Sequence, residues 1–152
     1  MIRFEVEYQI NSAEWERSAQ RRREAWAIPV VHAFLGDLNL GVADSRVFTS
    51  GLHTSIADFA CQSAIRLGNG VPLSREGWVF EELDGARHIN FMPADKLIQV
   101  TSDVSGSASL DVPANSVEIG LHAFLSKFAR DVREWIPDAF EWKDLSELRR
   151  FA

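Results

Sequence analysis

Cysteine is nearly absent from this sequence: Cys61 is the single one among 152 residues, so no internal disulfide can form. That usage suits a reducing compartment, and we expect a cytoplasmic protein. No apolar run approaches the roughly 20 residues of a membrane span. Residues 1–7 alternate charged and bulky side chains and lack the apolar core of a signal peptide. We therefore expect no membrane association and no secretion signal.

Recognisable motifs for metal, phosphate or nucleotide binding are also missing. The four histidines fit neither an HxxxH nor an HExxH pattern; they are His32, His53, His88 and His122. The run Gly68-Asn69-Gly70 follows a predicted helix and no lysine comes after it, which is the wrong context for a phosphate loop. The sequence thus predicts no catalytic residue, no metal ligand and no cofactor.

Cys61, the only cysteine, is the candidate nucleophile of this sequence. A reactive thiol needs a base nearby or a helix N-terminus to lower its pKa. Cys61 falls in the middle of a predicted helix, so we expect a packed, semi-buried thiol.

Negative charge is in excess, and unevenly so. The formal net charge is −6, with 16 basic and 22 acidic residues. Residues 77–152 hold 8 basic and 13 acidic side chains, whereas the first half is nearly balanced. A negative field repels phosphate backbones, so nucleic acid is not an expected partner, and it favours a basic protein. The alternative is that the charge only maintains solubility.

One basic cluster interrupts this pattern, formed by Arg17, Arg21, Arg22 and Arg23. Such a cluster can contact phosphate or RNA, or can be the solvated end of a helix whose dipole favours cations. The net charge favours the solvated helix.

Hydrophobic periodicity predicts an α+β fold in a single domain over residues 1–152. The predicted strands are residues 2–10, 30–34, 38–42, 78–83, 87–92, 97–102 and 108–112. The pair 30–34 and 38–42 is either a hairpin around Gly36-Asp37 or one bulged strand through Gly36, which gives about six strands. Residues 43–53 are predicted as a loop anchored by Val47 and Phe48.

Two or three helices are expected to pack on this antiparallel sheet. One begins at Asn11 or Ser12 and runs to about residue 24, one begins at Ser55 and stops at Gly68, and one is capped by Asn115 or Ser116 and ended by Pro137. A short helix at residues 143–150 is the last element. Asp84-Gly85 and Pro93-Ala94-Asp95 are predicted turns. The result is a layered α+β sandwich.

Carboxylates gather in two places that could contact a partner. Glu81, Glu82, Asp84 and Asp95 lie on or beside the second predicted hairpin, and Asp138, Glu141, Trp142 and Asp144 lie near the C-terminus. Two carboxylates in a cleft could instead do acid–base chemistry, or the groups could be ordinary solvated surface. Carboxylates around an aromatic anchor are suited to a lysine- and arginine-rich partner, so these eight residues are the candidate partner-binding set.

Two stretches resemble a known class of protein. The runs Ile28-Pro29-Val30-Val31-His32-Ala33-Phe34-Leu35-Gly36-Asp37-Leu38-Asn39-Leu40 and Ser55-Ile56-Ala57-Asp58-Phe59-Ala60 resemble parts of small bacterial proteins. Among these are immunity proteins of polymorphic-toxin and contact-dependent growth inhibition systems. The resemblance covers about the first half of the chain and carries over no site residue. It implies a non-catalytic cytoplasmic protein that binds one cognate toxin, often a basic nuclease, and occludes its active site.

Two other functions stay open at this point. The chain could bind a small ligand, or act as an enzyme, in a cleft between helices and sheet. It could also be a structural subunit that assembles with itself through an apolar patch. The sequence leaves the oligomeric state undetermined.

Overall fold

The computed structural model describes residues 2–23, 32–43, 45–51, 53–82, 87–104 and 108–152. Helices and strands are both present among them, which confirms the predicted α+β class. The strands are β1 (Phe4–Gln9), β2 (Leu35–Val42), β3 (Ser45–Thr49), β4 (Thr54–Ser55), β5 (Trp78–Glu81), β6 (His88–Ala94), β7 (Leu97–Ser102) and β8 (Leu110–Pro113). The α-helices are α1 (Ser12–Arg23), α2 (Ile56–Gly68) and α3 (Ala114–Trp135), followed by 3-10 helices at Ala139–Glu141 and Lys143–Phe151.

The described strands form two antiparallel four-stranded sheets where the sequence suggested one sheet of about six strands. In the first sheet β2 lies between β1 and β3, and the short β4 also pairs with β2. The second sheet is the meander β5-β6-β7-β8. One additional strand, β3, comes from residues 43–53, which were predicted as a loop, and the two-residue strand β4 directly precedes α2. The predicted anchors Val47 and Phe48 are buried, as expected, but they lie within β3.

Gly36 lies within the strand β2, so the hairpin prediction is wrong. The alternative of one bulged strand through Gly36 holds only from Leu35 onward, since residues 32–34 are not strand and residues 30–31 lie outside the described residues. Phe34, predicted as strand, has a φ of 55° and precedes β2. A Cβ at Gly36 would lie 2.1 Å from the carbonyl oxygen of Gln9 on β1. Glycine is therefore needed there for close approach of two strands and not for a turn. The irregularity lies further on, between Leu40 and Gly41, where β2 changes register against β3.

The first two helices begin where their capping residues predict. Asn11 Oδ1 accepts a hydrogen bond from the backbone N–H of Glu14 at 2.8 Å, and Ser55 Oγ accepts one from Asp58 at 3.1 Å. Each bond satisfies an N–H group that the helix itself leaves unpaired. One face of α2 is buried in the core, with Phe59 and Ala60 at its centre.

Helix α3 begins without the predicted side-chain cap. Its first residue, Ala114, follows β8 directly, and the Ala114 N–H donates to the carbonyl of Lys96 at 3.4 Å. The predicted caps Asn115 and Ser116 lie inside the helix, because a backbone carbonyl of the neighbouring turn takes over part of the capping. The helix ends at Trp135, before Pro137, as predicted.

Helices α2 and α3 hold the two sheets together. Helix α3 contacts β1 of the first sheet and β7 and β8 of the second, while α2 contacts β2 and β5. The rings of Phe4 and Phe91 meet edge to face across the sheets at 6.3 Å. Seven phenylalanines of this core are fully buried: Phe4, Phe34, Phe48, Phe59, Phe80, Phe91 and Phe128. Both sheets therefore share one aromatic core.

Candidate binding surface

The C-terminal candidates lie on a segment of balanced charge. Asp138, Glu141 and Asp144 are exposed, but Trp142 is half-buried and packs against the core. The Cys61 thiol donates to the backbone carbonyl of Asp144 at 3.3 Å, which ties this segment to α2. Residues 130–152 hold six acidic and five basic side chains. Trp142 thus packs against the core and is not an exposed aromatic anchor. The other tryptophan of this segment, Trp135, is 39% exposed and stacks on Trp15.

Glu82 is not on the surface. Its side chain is buried, and Arg87 Nη2 lies 2.8 Å from Glu82 Oε1 while Arg87 Nε donates to Oε2 at 3.1 Å. Thr54 Oγ1 donates to Oε1 at 3.0 Å, and Arg87 Nη1 donates to the carbonyl of Ser50 at 3.1 Å. This network joins the start of α2 to the second sheet, and Glu82 cannot reach a partner without breaking it.

The remaining candidates of the hairpin group have different positions. Asp84 lies outside the described residues. Glu81, one residue before Glu82, points to the opposite side of β5 and is exposed. Asp95 is exposed at the two-residue turn between β6 and β7, with a φ of 61°. The predicted turn at residues 93–95 is therefore shifted, since β6 continues through Ala94 and the turn is Asp95-Lys96.

The alternation of the second sheet separates a buried face from an exposed one. The buried face carries Phe80, Ile89, Phe91, Ile98, Val100, Leu110 and Val112. We define the outer sheet face as Val79, His88, Asn90, Met92, Ala94, Leu97, Gln99 and Thr101, with Glu81, Asp95, Lys96, Asp103 and Asp111 at its margin. No described element covers this face.

Three apolar side chains form the centre of the outer sheet face. Met92 is 50% exposed, Val79 43% and Leu97 38%. Asn90 is opposite Val79 and Ala94 is opposite Leu97, so Met92 lies diagonal to both. Exposed methionine beside aliphatic groups is adaptable and is common on surfaces that bind other proteins. The sequence reasoning missed these residues because it looked for an aromatic anchor, although the alternation in β6 could have pointed to Met92.

Carboxylates surround this apolar centre. Glu81, Asp95, Asp103 and Asp111 are all exposed, and Lys96 is the one lysine or arginine of the outer sheet face. Two of the four, Glu81 and Asp95, belong to the predicted set, and the fold adds Asp103 and Asp111. An apolar centre with an acidic margin is the surface that a basic protein would fit.

His88 joins two of these carboxylates. Its Nδ1 lies 2.7 Å from Asp103 Oδ2, its Nε2 lies 3.2 Å from Glu81 Oε1, and its backbone N–H donates to Asp103 Oδ1 at 2.8 Å. The hydrogen bond to Asp103 raises the pKa of His88, and the same contact lowers the pKa of Asp103. Protonation of His88 therefore partly neutralises the acidic margin.

A second candidate site is the cleft between β1 and α3. Tyr8 donates a hydrogen bond to Asp131, and Lys127 Nζ lies 3.1 Å from the same carboxylate and 4.2 Å from the centre of the Tyr8 ring. A hollow of about 400 Å³ opens beside Trp15 and these groups. Burial and the bond to Asp131 raise the pKa of Tyr8, so its hydroxyl stays protonated.

The other groups with reactive chemistry are accounted for by local contacts. Cys61 is half-buried and packs against the core, which confirms the semi-buried thiol that the sequence predicts. Burial raises its pKa to about 12. Arg17 pairs with Glu14 at 2.7 Å and donates to the carbonyl of His32. Nothing is described for the side chains of residues 21–23. Within the described ranges, no three side chains of metal-ligand type are grouped to hold an ion.

Comparison with known proteins found no matching family model, no similar curated protein and no similar solved structure. Among the described helices, none is both long enough and apolar enough to cross a membrane. The surface itself is therefore the basis for a functional assignment.

Proposed function

We propose that this chain is an immunity-type protein that binds a cognate basic toxin domain and neutralises it by covering the active site. The observation that carries the proposal is the outer sheet face, with Met92 exposed at its centre and four carboxylates at its margin. Cytoplasmic location belongs to the same proposal.

The expected binding mechanism has two stages. The acidic margin attracts a basic partner and speeds the encounter, since complementary charge acts mainly on the association rate. Burial of Met92, Val79 and Leu97 then slows dissociation, because removal of apolar area from water is the main source of stability in an interface.

The size of the face sets a limit on this contact. Four strands at about 4.8 Å spacing and about six residues at roughly 3.4 Å each cover on the order of 300 Å². A stable interface buries about 800 Å² on each partner. The partner must therefore also touch segments outside the outer sheet face.

The cleft beside Tyr8 gives less support to the alternative of an enzyme or small-ligand domain. Its polar groups bond to one another, with Tyr8 and Lys127 both on Asp131. A reaction centre needs polar groups that converge on a substrate.

The test is a direct binding measurement with the toxin-like domain encoded beside this gene. Biolayer interferometry with the purified pair should show a stable complex. Met92→Asp should weaken it by at least about tenfold, the effect expected for a charge buried at the centre of an interface. Ile65→Asp is the matched control, because Ile65 is 58% exposed but lies on α2, away from the outer sheet face. Absence of a complex, or equal effects of both substitutions, would count against the proposal.

A further inference from the structure

Among the described residues, no strand lies beside the outer edge of β1. β1 is the last strand of the first sheet and pairs with β2 alone. The register shows which of its backbone groups face outward. Leu38 directs its backbone N–H and C=O towards Ser50, on the side of β2 away from β1. Its partner Tyr8 is therefore in a non-hydrogen-bonded pair, and the N–H and C=O of Tyr8 point away from β2.

The same alternation directs the backbone N–H and C=O groups of Val6 and Phe4 away from β2, whereas those of Glu5 and Glu7 bond to β2. An independent distance agrees with this assignment. A Cβ at Gly120 of α3 would lie 2.5 Å from the Phe4 carbonyl oxygen, so that oxygen faces the helix and is covered by it. The N–H and C=O groups of Val6 and Tyr8 have no hydrogen-bond partner in the described part of the chain. Four backbone groups are thus left ready to pair.

A groove runs along this edge, between β1 and α3. Its volume is about 280 Å³, and it is lined by six consecutive residues of β1 and its N-terminal extension, residues 2–7. Consecutive residues belong to opposite faces of a strand, so the groove opens onto the strand edge itself. On the helix side its lining includes Gly120, Ala123 and Ile119, which is 66% exposed. Small residues leave space beside the edge, and Ile119 offers an apolar contact.

We propose that this edge binds an extended segment of another protein, which adds a strand beside β1 and carries apolar residues alternating with lysine or arginine. Residues of the bound segment opposite Val6 lie on the same face of the sheet as Val6 and contact Ile119 and Ala123. Residues of the bound segment opposite Glu5 and Glu7 lie on the other face, beside these carboxylates. Opposite charges across a strand pair stabilise it, so basic side chains are favoured there.

Charge also argues against a second copy of this chain as the occupant. Antiparallel pairing of β1 with itself around Val6 would place Glu5 opposite Glu7 twice. A shift that pairs Val6 with Tyr8 would place Glu7 opposite Glu7. Like charges in directly opposite positions destabilise a strand pair. Arg3 and Arg46 form ion pairs with Glu5 and Glu7 at 3.5 and 3.8 Å, but both pairs lie at the surface, where an ion pair offsets like-charge repulsion only weakly.

The edge belongs to the first sheet, so this inference is separate from the binding surface on the second. The probe is an amidated heptapeptide of alternating lysine and valine with a fluorescent label, and the control peptide has glutamate in place of lysine. Anisotropy should show binding of the lysine peptide and none of the glutamate peptide. Methylation of the valine nitrogens, which removes backbone donors without changing the charge, should abolish binding.

Amide hydrogen exchange locates the peptide. The amides of Val6 and Tyr8 should gain protection on peptide addition, whereas those of Glu5 and Glu7, already bonded to β2, should not change. Val6→Pro removes an outward N–H and should weaken binding by about tenfold or more. Ile119→Ser, on the exposed side of α3, tests the groove without altering β1.

Three results would overturn the inference. They are protection on the outer sheet face in place of Val6 and Tyr8, equal binding of the N-methylated peptide, and protection of Val6 that rises with protein concentration alone. The last result would identify a second copy as the occupant.

Discussion

The outer sheet face and the C-terminal segment carry similar residues but use them differently. Both contain several carboxylates and a large apolar side chain. On the sheet, Met92 is half-exposed and four carboxylates stand against one lysine. In residues 130–152, Trp142 packs against the core and six acidic residues are offset by five basic ones. The comparison teaches that a count of carboxylates near an aromatic residue does not define a surface; the direction of each side chain does.

The largest effect is expected at Glu82, the candidate that belongs to neither surface. Glu82→Ala leaves the Arg87 guanidinium without its carboxylate in a mostly buried position, and should lower the free energy of unfolding by about 3–5 kcal/mol. Glu81→Ala is the matched control one residue away, and should change stability by less than about 0.5 kcal/mol. Urea denaturation of both variants measures the difference. Equal losses would mean that the buried pair does not stabilise the fold.

Substitution of the two large apolar residues compares the regions directly. Trp142→Ala should lower the free energy of unfolding by about 2 kcal/mol, since a half-buried tryptophan loses about half the contacts of a core one. Met92→Ala should cost less than about 0.5 kcal/mol in stability and should instead weaken partner binding. Thermal unfolding and interferometry on the same samples separate the two effects. A destabilised Met92→Ala protein would show that Met92 acts in the core.

Charge reversal sharpens the contrast in binding. The double variant Glu81→Lys/Asp111→Lys should slow association with a basic partner roughly tenfold at low salt. Glu141→Lys/Asp144→Lys changes the net charge equally on the C-terminal segment and should have a much smaller effect. Both effects should vanish near 1 M salt, where the screening length is about 3 Å. If the C-terminal variant associates more slowly than the sheet variant, the binding surface lies on the C-terminal segment.

The smallest expected effect is a pH dependence confined to the sheet. The folded-state pKa of His88 is raised, so its contribution to stability is complete below its ordinary pKa of about 6.5 and is lost as pH rises through the higher folded value. The free energy of unfolding should therefore fall more between pH 6 and pH 9 in the wild type than in His88→Gln. Residues 130–152 contain no histidine, so this titration acts on the sheet alone.

Local patterns predicted elements better than their arrangement. The alternation in β1, the caps at Asn11 and Ser55, the periodicity of α3 and the stop before Pro137 are all determined within a few residues, and each is confirmed. The error at Gly36 has a different origin. Glycine is needed at this position because Gln9, which is distant in the sequence, approaches it closely in the fold. Judged from its sequence neighbours alone, the same glycine favours a turn.

The sequence by itself determined the α+β class, the excess of negative charge and the main helix, because these depend on composition and short-range periodicity. The tertiary structure decided which of the charged side chains are exposed and which are buried in ion pairs. It placed Glu81 in solvent and Glu82 in a buried ion pair, although the two are adjacent, since a strand directs successive side chains to opposite faces. It also brought Asp103 beside His88 and, in the described part of the chain, left the outer edge of β1 without a neighbouring strand, because both depend on which strands meet.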